Sequence, residues 1–553
     1  MTHHTPWWKG ATIYQIYPRS FLDTDGDGVG DLKGIMARLD HVAALGVDAI
    51  WISPFFASPM KDFGYDVSDY RRVDPLFGTN DDFRQLLDAA HGRGLKVLVD
   101  MVLAHTSDRH AWFQESRRSR GNAKADWYVW ADPQADGTPP NNWLSFFGGP
   151  AWHWEASRSQ YYLHHFLKEQ PNLNWHNPAV EAAMLDEVAF WLDLGVDGLR
   201  LDAISSVISD IHLRSNPPVD PQHGAGNDDL LWINSPDNNP MRFQQHIHDQ
   251  NQPEVLGILE ALRRLSDRYD GERFLLGEII DQDGGRVAAA YTRGRHRLHS
   301  AYTFQLTQDR MDAGYMRQVI RQVEKEIAEG GWLTWTMSNH DRARIISRFA
   351  ALPHLSGDWR ALARQMMALT LTMRGSVCLY QGDELGLDEA EIPHDRLRDP
   401  WGIVFWPDFK GRDGCRTPMP WRGDQPHCGF STAEPWLPFG ANHADRAVDR
   451  QEGDPASVLN AYRRFIAWRR RQPALRTGDL TLEPAQAESV LAFQRSGADQ
   501  RLLCVFNIAN EAAEITLEDR WRPVAGHGFE GAALGADGRL HLPAFGVFIG
   551  EAG

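Results

Sequence analysis

The sequence predicts an α/β protein built on a (β/α)8 TIM barrel, with an inserted subdomain after the third strand and an antiparallel β-sandwich at the C-terminus. Three observations carry that prediction. Asp100, Asp202, Glu278 and Asp341 each stand where an apolar, strand-like run gives out: KVLVDMV at 96–102, GLRLDA at 198–203, FLLGEI at 274–279 and TWTMSNHD at 334–341. Helix-like stretches separate these runs, and parallel strands joined by right-handed helical crossovers close into a barrel whose strand C-termini share one mouth. The chain's 553 residues exceed the roughly 250 of a single barrel and leave room for further domains.

The elements follow in order. Strand one is expected over 12–17, a helix over 32–45, strand two over 48–53, a helix over 81–91 and strand three over 96–102. Regular alternation then stops. Residues 104–175, rich in Trp, Gly, Pro and Asn, are too long for an ordinary βα connection and read as an inserted subdomain. The barrel, expected over 1–103 and 176–471, resumes with a helix at 179–194 and strand four at 198–203. Residues 216–239 read as a surface excursion at the rim of the mouth. Strand five is expected over 274–279, strand six over 302–306, strand seven over 334–337, strand eight over 376–380 and a closing helix over 455–471. From 472 to 553, short β-like runs alternate with turns, the pattern of an antiparallel sandwich.

Composition bounds the function classes. Hydrophobic residues at 42% and charged residues at 24% describe a globular chain with ample core, and no apolar run is long enough to span a bilayer. A net charge of −17 disfavours nucleic acid and anionic membranes as partners. The opening MTHHTPWWKG lacks the apolar run and cleavage site of a secretory signal, so a cytoplasmic location is expected. Cys378, Cys415, Cys428 and Cys504 lack metal-ligand spacing and are expected as free thiols.

The carboxylates suggest a reaction class. Adjacent strands lie about 4.8 Å apart, so Asp202 and Glu278, on strands four and five, can approach to roughly 5 Å, the separation used by retaining glycosidases. Arg200 and Asp202 are two apart on a strand and share a face. A guanidinium beside a carboxylate favours its ionised form, which suits Asp202 as nucleophile. Glu278, in a partly dry mouth near two other carboxylates, is expected to hold a raised pKa, as a general acid requires.

At this point the residues reach a family. AHTSDRH after strand three, GLRLDA, GEI, SNHD and QPNLNW at 170–175 together resemble the α-amylase superfamily of glycoside hydrolases, family thirteen. QPNLNW and GRDGCRTPMPW at 411–421 are similar to motifs of its α-glucosidase and oligo-1,6-glucosidase branch. The resemblance implies that Asp341 and His340 bind sugar hydroxyls in the cleavage subsite, that His105 is a second sugar-contacting histidine, and that Asp100 and Arg200 support the site. It also implies that Asp62 and Tyr65 floor the pocket, that Phe147 and Phe166 contribute to binding, and that Asp62 pairs with Arg412 or Arg416 to close the non-reducing end. Spacing leaves that choice open. A blocked pocket implies an exo-acting enzyme that releases glucose from short oligosaccharides. Ala203, after the nucleophile, implies a preference for α-1,4 bonds. Ala104 and Asn172 depart from the residues usual in the family, Asn and Asp.

DTDGDGVGD at 23–31 places carboxylates at alternate positions, as a calcium loop does. Position twelve is Gly34, not Glu, which argues against an EF-hand. The resemblance implies one structural Ca²⁺ or Mg²⁺ held by Asp23, Asp25, Asp27, the Val29 carbonyl and Asp31. No organic cofactor is implied, and a monomer or homodimer is expected. The alternatives are a glucosyl-transferring or isomerising relative (sucrose isomerase, trehalose synthase, a sucrose-cleaving enzyme) and, more remotely, a non-catalytic binding subunit.

Overall fold

The structure, a computed structural model, describes residues 5–219, 236, 238–281 and 283–552. Eight parallel strands form its centre: β1 (Thr12–Ile16), β2 (Ala49–Ile52), β3 (Lys96–Val102), β4 (Gly198–Asp202), β5 (Phe274–Ile279), β6 (Ser300–Thr303), β7 (Thr334–Trp335) and β8 (Ser376–Tyr380). They pair in the order β6-β5-β4-β3-β2-β1-β8-β7, and a parallel bridge between Ala301 and Leu333 joins the two ends. The sheet therefore closes on itself. Its strands are buried on both faces, which is why they read as near-continuous apolar runs rather than alternating ones.

Three boundaries differ from expectation. The helix expected over 32–45 is two, Leu32–Ala37 and Leu39–Leu45, broken at Arg38, whose ψ of 9° does not continue a helix. Strand six lies earlier, at Ser300–Thr303, because its register on β5 pairs Leu276 with Ser300 and Ile279 with Thr303. The apolar run beyond it turns instead into a 3₁₀ segment, Gln305–Thr307. Strand seven is two residues long. The excursion expected over 216–239 lies largely outside the described residues.

Between β3 and the helix Pro178–Asp193, the chain forms a three-stranded antiparallel sheet (Trp130–Ala131, Trp152–Glu155, Gln160–Leu163). Beyond the helix Val458–Arg469, a five-stranded and a three-stranded antiparallel sheet form the tail. Val490, Leu503, Val505, Ile515, Trp521, Leu540, Leu542 and Phe548 form one apolar cluster there, with residues drawn from both sheets. All four cysteines are buried and free.

Candidate active site

β4 pairs with β5 so that Leu201 lies opposite Gly277, and the next residues in each strand, Asp202 and Glu278, emerge side by side. One guanidinium ties them. Arg200, fully buried, places Nη1 2.6 Å from Asp202 Oδ1 and 2.8 Å from Asp100 Oδ1, and Nη2 2.7 Å from Glu278 Oε1. Tyr302 accepts from Arg200 Nη2 at 2.6 Å and donates to Glu278 Oε1 at 3.0 Å. The Ala203 amide donates to Glu278 Oε2 at 2.9 Å. Trp51 Nε1 and Tyr65 Oη complete the partners of Asp100.

Three carboxylates around one cation cannot all be charged cheaply in a dry site. Burial raises Asp202 and Glu278 to about 7 and Asp100 to about 6, with Arg200 opposing in each case. The Arg200 contact alone does not keep Asp202 low, contrary to the expectation from sequence, because burial outweighs it. The pair therefore holds one proton near neutrality and titrates as a unit.

Asp341 behaves oppositely. Burial disfavours its charge, but it is held well below the usual carboxylate range by its charged surroundings. His340 is pushed down to about 3 by burial and is neutral, so the effect rests on Arg416 Nη2 at 2.7 Å and Arg412 Nη1 at 3.1 Å from Asp341 Oδ1. His340 Nδ1 lies 2.7 Å from Gln15 Nε2, and its Nε2 lies 2.6 Å from Tyr65 Oη. The Gln15 NH2 group can only donate. The ring N–H is therefore at Nε2 and donates to the Tyr65 hydroxyl, which donates on to Asp100 at 3.2 Å.

The choice between the two arginines resolves. Arg412 Nη2 lies 3.0 Å from Asp62 Oδ1 and also binds Asp399 at 2.9 Å, while Arg416 binds Asp341 and the His340 carbonyl. The short 3₁₀ turn Asp413–Cys415 separates the two. Gln170 Nε2 donates to Asp62 Oδ2 at 3.1 Å and lies 3.1 Å from His105 Nε2.

These residues surround a pocket lined by Asp62, Tyr65, His105, Phe147, Phe166, Asp202, Glu278, Asp341 and Arg412, to which Phe146, Ala203, Ile280, Phe304 and Trp401 add apolar wall. Its volume is about 100 Å³, space for roughly seven waters, the scale of one hexose ring. His340, expected at the sugar, Arg200, expected as a support, and Arg416, a candidate partner of Asp62, do not line it. They are 0–1% exposed behind it: Arg200 and Arg416 hold the carboxylates in front, and His340 is held by Gln15 and Tyr65. Sequence reasoning passed over Tyr302, Gln15, Asp399 and the extra apolar wall. Gln170 was in view as part of QPNLNW without a role.

Fold and site together match a known family. The model of the α-amylase catalytic domain covers residues 15–478, and that of the maltogenic amylase C-terminal domain covers 480–549. The chain belongs to the α-amylase family. A Rhizobium meliloti (strain 1021) protein named "probable alpha-glucosidase" is 51% identical over 98% of this chain and 96% of its own length. A Heyndrickxia coagulans oligo-1,6-glucosidase is 35% identical over 95% and 96%. Among solved structures, the α-glucosyl transfer enzyme XgtA superposes with a TM-score of 0.95 at 52% identity over 100% of both chains. The trehalulose synthase MutB of Pseudomonas mesoacidophila MX-45 follows with 0.87 at 32%, over 99% of this chain and 100% of its own.

The acidic loop after β1 brings carboxylate oxygens of Asp23, Asp25 and Asp27 within 4.8 Å of one another, a hard-oxygen set that fits Ca²⁺ or Mg²⁺. Asp31 is not part of it. Its carboxylate accepts from Gly34 N at 2.7 Å and Thr24 N at 2.8 Å, capping the helix Leu32–Ala37. Val29 donates its amide to Asp27 Oδ1 at 2.7 Å.

Proposed function

We propose that this α-amylase-family protein is an exo-acting, retaining α-glucosidase that releases glucose from the non-reducing end of short α-glucosides. The observation that carries the reading is the single Arg200 guanidinium bridging Asp202 and Glu278 at 2.6 and 2.7 Å, beside a hexose-sized pocket blocked by Asp62 and Arg412 at 3.0 Å. The names of the relatives support it.

Asp202 attacks the anomeric carbon and forms a β-glucosyl ester, while Glu278 gives its proton to the leaving oxygen. Glu278 then takes a proton from water, which displaces Asp202 and restores the α configuration. The reaction requires the pair's one proton on Glu278 with Asp202 ionised, the form that the charge-assisted hydrogen bond from Arg200 Nη1 favours at Asp202. Asp341, held ionised by two guanidiniums, accepts sugar hydroxyls, and such bonds strengthen as charge develops on the ring. Ala203 next to the nucleophile supports α-1,4 selectivity. Asp23, Asp25 and Asp27 would hold one Ca²⁺ or Mg²⁺ that pins the loop after β1 and takes no part in the chemistry.

Asp202→Asn should lower hydrolysis of an aryl α-glucoside by several orders of magnitude with the melting temperature little changed. Near-normal turnover would remove Asp202 as nucleophile. A second reading, transfer of the glucosyl group to an acceptor other than water, is favoured by the 52% identity to the α-glucosyl transfer enzyme. Chromatography of products from maltose, isomaltose, sucrose and trehalose separates the two: free glucose alone supports hydrolysis, and new glucosides support transfer.

A further inference from the structure

A second large cavity lies at the opposite end of the barrel. It measures about 670 Å³ and is lined by residues that immediately precede four strands: Trp8 and Lys9 before β1, Leu298 and His299 before β6, Trp332 before β7 and Arg374 before β8, with Arg263 and Arg295 alongside. That volume falls in the range of small-molecule sites. In a chain of net charge −17, this lining contains four cationic side chains and no Asp or Glu.

The cations are only partly neutralised. Arg263 pairs with Asp267 at 2.8 Å, and Arg374 pairs with Glu324 at 2.8 Å and lies 3.6 Å from Asp479. Lys9, half-buried over the Trp332 ring at 4.8 Å, and Arg295, exposed, have no ion pair among the described residues. Arg374 Nε is buried with no hydrogen-bond partner among them. His299 Nδ1 accepts the Leu275 amide at 3.1 Å, so its proton sits on Nε2 and adds a donor. Burial, and then the charge of Arg374, depress the Lys9 pKa; Asp479 opposes and Arg295 adds to the depression.

We propose that this cavity binds a small multivalent anion of the phosphate class, free or as a phosphate ester. Lys9 and Arg295 supply the uncommitted charge, and Arg forks match phosphate oxygens in pairs. The site is remote from the carboxylates at the strand C-termini. By tying together the segments that enter β1, β6, β7 and β8 it acts on stability, through preferential binding to the folded state, and not on the chemical step.

Titration calorimetry and thermal unfolding of the full chain with sodium pyrophosphate, at ionic strength held constant with sodium chloride, test this. Saturable binding and a melting temperature that climbs with pyrophosphate are expected. Lys9→Gln/Arg295→Gln should weaken binding at least ten-fold while leaving kcat/KM on an aryl α-glucoside unchanged. Arg295→Gln alone, at an exposed position, gives the same reading if the double variant folds poorly. Absence of saturable binding, or binding undiminished in these variants, overturns the site. Citrate binding as tightly as pyrophosphate overturns the assignment to phosphate. Glucose 6-phosphate binding more tightly than orthophosphate would support an ester as the occupant, and the reverse would support free phosphate.

Discussion

Ala203 occupies the left-handed region, at φ 37° and ψ 43°, directly after the proposed nucleophile, and from there its amide reaches Glu278 Oε2 at 2.9 Å. Ala203→Val puts a β-branched side chain where such residues are rarely found, at a cost of about 1–3 kcal/mol. If the backbone relaxes, the amide leaves Glu278. A hydrogen bond to an ionised group contributes about 1.5–3 kcal/mol, and about 1.4 kcal/mol corresponds to one pKa unit, so the Glu278 pKa should rise by roughly one unit or more from about 7. The sign follows from its role: Glu278 acts in its protonated form, activity falls as pH rises through its pKa, and losing a donor to the carboxylate moves that limb to higher pH. Ala203→Gly, free of the steric penalty, should keep the limb in place. Calorimetric melting and the pH dependence of kcat/KM on an aryl α-glucoside read both effects. A valine variant with wild-type melting temperature and an unmoved alkaline limb would refute the reasoning.

Further expectations concern the neighbours. Glu278→Gln should abolish the alkaline limb near pH 7 in pH–rate measurements, while the burial-raised Asp202 still imposes an acid limb as it protonates. Arg412→Ala strands Asp62 and Asp399 as buried carboxylates, so urea denaturation should register a loss of about 3–5 kcal/mol, and KM for maltose should rise. Arg412→Lys, which keeps charge but loses the fork, should recover part of both. Chelation with EDTA should lower the melting temperature by loosening the loop at Asp23, Asp25 and Asp27 while kcat measured below that temperature stays constant. A large loss of kcat would argue for a metal nearer the chemistry.

Much of the barrel was legible because parallel strands buried on both faces announce themselves as apolar runs, and three of them carry a carboxylate at or near the C-terminal end (Asp100, Asp202, Glu278), with Asp341 six residues beyond a fourth. The proximity of Asp202 and Glu278 followed from strand adjacency alone. The arginine choice did not, because it depends on how the turn Asp413–Cys415 aims Arg412 at Asp62 and Arg416 at Asp341, and on Asp399 arriving from a separate loop to hold Arg412. Tyr302 was missed for a related reason: read as the first residue of strand six, it is in fact the third, and the β5 register turns it toward Arg200. The apolar wall comes from loops and strand ends (Phe146, Ile280, Phe304) and from the short helix Pro400–Phe405 (Trp401), where no periodicity marks a side chain as facing the pocket. Arg200 was placed as a support by resemblance and is one; His340 was placed at the sugar, yet burial puts it one layer behind, as it does Arg416.

The central claim is that Asp202 forms a covalent bond to glucose with Glu278 as its acid partner. Incubation with 5-fluoro-α-glucosyl fluoride, followed by proteolysis and mass spectrometry, tests it most directly. The account predicts one fluoroglucosyl unit on the peptide containing Asp202, released by an added acceptor. A label on Glu278 or Asp341, or no label while the first glucose formed from maltose is the β anomer, would contradict it.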